Sequence, residues 1–76
     1  MSFQAMIDGV DNALKELLCA KPNEGEEYTY FYLIADLAKL FNLFGEVVDE
    51  NNHLRAQELA DMIYGKILEA KEKHVF

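Results

Sequence analysis

The chain has one cysteine, one proline, no tryptophan and half as many basic as acidic side chains. Each shortage excludes something. With Cys19 as the only thiol, no intrachain disulfide can form. A lone thiol without a secretory leader sets the expectation of a reducing, cytoplasmic environment. The scarcity of lysine and arginine argues against direct nucleic-acid binding, which needs a basic footprint for the phosphates. No apolar run approaches the roughly 20 residues of a membrane span. The best candidate, after Tyr32, is interrupted by Asp36, Lys39 and Asn42. No glycine-rich phosphate loop is present. Neither His53 nor His74 has a cysteine or aspartate at metal-ligand spacing. Cys19 has no histidine tied to it and reads as a small apolar residue beside a buried stripe, not a nucleophile.

Seventy-six residues allow a single domain, residues 1–76, and a core of marginal size that often needs a partner subunit. The net charge of −7 is concentrated in the middle. From Pro22 to Glu50 seven acids face one base, Lys39, whereas the segment from Asn51 onward is balanced.

Apolar residues recur at helical spacing throughout, and no pair of strand-like runs is joined by a hairpin turn. The fold class is therefore all-α, a three-helix domain. The first helix, about 3–20, carries the stripe Phe3, Ile7, Val10, Leu14 and Leu17, widened by Met6 and Leu18. Ser2 is its N-cap and Pro22 ends it. The second, about 24–50, starts with Asn23 and Glu26 in the spacing of a capping box, with Glu24, Glu26 and Glu27 at the positive end of the dipole. Its seam is Tyr30, Ile34, Leu37, Phe41, Phe44 and Val48. Asn51 or Asn52 caps the third, about 53–73, whose seam is Ala56, Ala60, Ile63, Ile67 and Ala70 with Leu59 beside it. An antiparallel hairpin of helices two and three forms the core. Ala35, Ala38 and Gly45 make a small-residue flank, expected to bring helix two close to helix three with Ala38 level with Gly65.

Helix two has an apolar arc of about 200°, wider than one neighbour usually covers. A monomer this small rarely leaves a large apolar patch bare. A homodimer completing a helical bundle is therefore expected, with Leu40, Leu43, Phe44 and Val47 near its centre, Leu33 on the same flank, and Tyr28 and Tyr32 at the rim. Tyrosines commonly bury the ring at such an edge and keep the hydroxyl wet. The functional expectation is a protein-interaction module, a regulator or inhibitor that binds another, unidentified protein, with no cofactor and no metal.

Two alternatives come from the acids. Glu46 and Asp49, with Glu50 adjacent, stand near the end of helix two, and Glu58 and Asp61 on helix three. Residues three apart share a helix face, and the hairpin brings the two pairs toward one level. Converging carboxylates suit Mg²⁺. With "ELADMIY" after an acidic helix end, this segment resembles the MazG-like all-α nucleotide pyrophosphohydrolases. That resemblance implies a nucleoside triphosphate substrate, with Mg²⁺ held by Glu46, Asp49 or Glu50, Glu58 and Asp61. Where the family carries E-x-x-E in its first pair, this chain has E-x-x-D. The other alternative is an acidic decoy of nucleic acid, motivated by the Pro22–Glu50 charge.

Overall fold

The computed structural model describes residues 2–76. Three helices follow one another: α1 (Phe3–Cys19), α2 (Glu27–Asp49) and α3 (His53–Glu72). Ser2 caps α1 as expected, its Oγ accepting from Ala5 N at 3.1 Å. The helix stops at Cys19, and Ala20 is already extended ahead of Pro22.

The start of α2 departs from the capping-box reading. Asn23 and Glu26 close a turn, Glu26 N donating to Asn23 O at 2.9 Å, with Gly25 at φ +85 in the position that requires a left-handed residue. The helix begins only at Glu27, and Glu26 at its N-cap makes no side-chain cap bond. Asn23 is engaged elsewhere. Its backbone N–H donates to Val75 O at 2.9 Å and its Nδ2 to His74 O at 2.6 Å. The first interhelical link is thereby clasped to the tail that follows α3.

Both later helix ends close alike. Asn52 N donates back to Val47 O and Asn51 N to Val48 O, with Asn51 at φ 57. Val75 N donates to Ala70 O and His74 N to Lys71 O, with His74 at φ 58. A left-handed residue just past the last turn satisfies carbonyls that would otherwise lack partners, and asparagine tolerates that conformation better than most residues. Asn52 then caps α3, its Oδ1 accepting from Arg55 N at 3.2 Å.

The helix α3 is the centre of the molecule. Its predicted stripe, Ala56, Leu59, Ala60, Ile63, Ile67 and Ala70, is buried throughout. It packs on α2 as the antiparallel hairpin and, less extensively, on α1. Helices α1 and α3 run parallel. Phe3 stacks on His53 at one end, ring centroids 3.9 Å apart, and Glu16 pairs with Lys71 Nζ at 2.6 Å near the other. No Cα of α1 lies within 8 Å of a Cα of α2 among the described residues. The two outer helices share α3 without closing on each other.

The face of α2 turned to α3 holds Tyr30, Leu37, Phe44 and Val47, all buried. Tyr30 Oη donates to Leu17 O at 2.8 Å, with Ala20 O at 3.0 Å, fastening the end of α1 to the start of α2. Val75 is buried, and Phe76 meets the Tyr30 ring edge-on. Fully burying a residue such as Leu37 or Ile63 is worth roughly 1.5–3 kcal/mol, so a few side chains carry much of the core.

The expected close contact along Ala35, Ala38 and Gly45 is not where α2 meets α3. Ala35 and Ala38 are exposed, and a Cβ added at Gly45 or Gly65 would meet nothing within 4 Å. The side chains that permit close approach are the alanines of α3.

Candidate functional site

The separation of α1 from α2 leaves an open groove floored by the core. At one end it is lined by Leu14, Leu17 and Leu18 of α1 and Ile34, Leu37 and Ala38 of α2, a hollow of about 290 Å³. At the other it is lined by Ile7 and Asp11 of α1 and Gly45, Glu46, Val48 and Asp49 of α2, a hollow of about 330 Å³. Phe41 and Asn42 line both, so the two hollows adjoin. The six-residue seam expected on α2 therefore divides. Tyr30, Leu37 and Phe44 are buried, Leu37 and Phe44 forming part of the groove's floor, while Ile34, Phe41 and Val48 are only half-buried.

Large apolar side chains rise from the groove's first end. Leu18 is 57% exposed and Phe31 63%. Tyr28 and Tyr32, at 83% and 72%, stand on the opposite flank of Phe31. Leu18 had been placed on the buried stripe of α1, and Cys19 beside it, expected to be buried, is an exposed free thiol. Both lie where α1 runs past the cover that α2 would have supplied.

No family model, curated protein or solved structure matches this chain.

Of the side chains expected at a dimer interface, Phe44 and Val47 are buried within the chain, and Leu33 and Leu40 are half-buried against the core. Helix α3 covers that flank, because it meets the bulky side of α2 and not the small side. Leu43 is 42% exposed, and only Leu43, Tyr28 and Tyr32 of the expected set remain open. Phe31 was not singled out from the sequence. Its signal was its place one residue after Tyr30, about 100° round the helix from the buried face.

The carboxylates do not converge. Glu46 and Asp49 border the groove, whereas Glu58 and Asp61 stand on the side of α3 opposite its buried stripe. Glu58 is engaged by Arg55 Nη1 at 3.0 Å and Asp61 by Gln57 Nε2 at 3.0 Å, and Glu50 is the exposed C-cap of α2. Among the described residues no three of His, Cys, Asp or Glu are placed to hold a metal ion. Among the described residues no helix is long and apolar enough to cross a membrane.

The remaining ionic features are solvated. Lys73 Nζ meets Glu69 at 2.6 Å, which holds the Glu69 carboxyl below its usual range and Lys73 above its own. Exposed pairs of this kind contribute little to stability. Tyr64 bridges α3 to α1, with its hydroxyl over the backbone of Gly9, where a Cβ would collide. Partial burial, and secondarily the charge of Asp61, raise the Tyr64 phenol above its ordinary value.

Proposed function

We propose that this chain is a small acidic protein-interaction module of the cytoplasm, homodimeric, that regulates or inhibits another protein by binding it. The observation that carries the reading is the exposure of two aromatic side chains, Tyr28 and Tyr32, on the first two turns of α2. Exposed aromatics are costly to leave in water and are enriched at protein interfaces. The cytoplasmic part of the reading rests on the chain's having a single cysteine. The acidity of the surrounding segment favours a partner with a basic or neutral contact face.

The test uses paired baits, wild type and the double variant Tyr28→Ser with Tyr32→Ser, followed by reassembly of each captured pair from purified components. The expected result is a one-to-one complex per protomer that forms with wild type and is weakened at least about tenfold, or 1.4 kcal/mol, in the variant. If no captured protein reassembles, or if the variant binds equally well, the reading fails.

A further inference from the structure

We infer that the α1–α2 groove is covered by the same groove of a second copy, the two chains antiparallel about a two-fold axis passing near Ala38. The inference rests on the homodimeric reading above and adds the face and the orientation.

The surface area points to a missing partner. The chain exposes 5205 Å², whereas a compact monomer of 8.7 kDa is expected to expose about 4,700 Å². The excess of roughly 500 Å² is about three-fifths of the 800 Å² or so that each partner contributes to a standard interface. In the groove, Ile34, Phe41 and Val48 are left half-buried.

The groove is complementary to itself in one orientation. At its first end Leu18 is exposed, and so is Phe31, which lies two helical turns before Ala38 on the same side of α2. Its second end contains the open space beside Gly45, where nothing lies within 4 Å of a would-be side chain. Phe31 and Gly45 stand two helical turns on either side of Ala38. An antiparallel crossing at Ala38 therefore sets Phe31 of each chain over Gly45 of the other, and Ala35 and Ala38 let the two α2 helices approach closely. A layer of four helices results, α1 on α1 and α2 on α2, with α3 backing each side.

Charge selects the same orientation. Asp11, Glu46 and Asp49 all border the second end. In the alternative two-fold arrangement like ends meet, and these acids would face their own copies. Like charges placed together at an interface act against that association. Antiparallel pairing moves them to opposite ends, at the level of the partner's Leu18 and Phe31.

Sedimentation velocity at about 100 µM, far above a micromolar dissociation constant, should show a wild-type dimer. Ala38→Glu and Phe31→Glu, both at exposed positions, should raise the dissociation constant at least about tenfold with the helical circular dichroism unchanged. Leu54→Glu, on the outer face of α3, should leave the dimer intact. Orientation is read by disulfide trapping in a Cys19→Ser background. Ala38→Cys should cross-link to itself. Phe31→Cys should cross-link poorly to itself but readily when mixed with Gly45→Cys. A wild-type monomer overturns the inference together with the homodimeric part of the wider reading. A dimer indifferent to Ala38→Glu and Phe31→Glu, or Phe31→Cys trapping itself as well as Ala38→Cys does, overturns the inference alone.

Discussion

Tyr64 shows how one side chain ties a helix pair together. It lies half over α1, with its hydroxyl above Gly9 and its phenol proton held more firmly than in water. The folded-state pKa is raised, so this group contributes stability that is fully present below about pH 10, the ordinary tyrosine value. That contribution is lost as pH rises through the folded value. Tyr64→Phe cannot ionise there. Melting temperatures followed from pH 8 to 11 should fall more steeply for wild type than for Tyr64→Phe; parallel curves would show that the ring is as wet as in the unfolded chain. Tyr30 binds the other end of α1 differently. Its hydroxyl is committed to the carbonyls of Leu17 and Ala20, so this tyrosine is a structural fastener, unlike the exposed Tyr28 and Tyr32.

At the scale of the elements, the helix ends carry the clearest predictions. Asn52→Ala removes the bond to Arg55 N and should cost about 1 kcal/mol by denaturant titration. An unchanged midpoint would mean that water replaces the cap without loss. Gly65 lies inside α3 with open space around it. Gly65→Ala should therefore stabilise the protein by up to about 1 kcal/mol, because alanine costs less to order in a helix interior. Destabilisation would reveal a close neighbour that the fold does not show. Much of this level was legible in the sequence. Ser2 and Asn52 act locally, through bonds to residues three positions away, and Pro22 through its steric effect on the residue before it, and local chemistry can be read from local pattern. Asn23 was misread because its partners are His74 and Val75, far along the chain. Periodicity gives the angular width of an apolar face but not which part each neighbour takes. The small flank was therefore assigned to α3 when the bulky flank meets it, so Phe44 and Val47, expected at an interface, are buried within the chain.

For the whole molecule, the decisive feature is that the backbone of α1 lies close to α3 and not to its neighbour in sequence, α2, which reaches it through side chains such as Tyr30. The contacts of the α2–α3 hairpin start a few residues either side of Asn51, whereas Glu16 and Lys71 are 55 positions apart and Asn23 and His74 are 51 apart. Closing loops of some fifty residues instead of a handful adds about 2 kcal/mol of chain entropy. The order of assembly follows. The expected order is the hairpin first, with α1 and the tail clasp locking on afterward. Ile63→Val in the hairpin should therefore slow refolding, while Val10→Ala in α1 should leave refolding nearly unchanged and speed unfolding. Stopped-flow measurement of both limbs decides it; a slowed refolding limb for Val10→Ala would place α1 in the nucleus. A chain built this way spends the last part of its folding with the hairpin's apolar stripe uncovered, so nascent copies at high concentration should be most prone to aggregate in that interval.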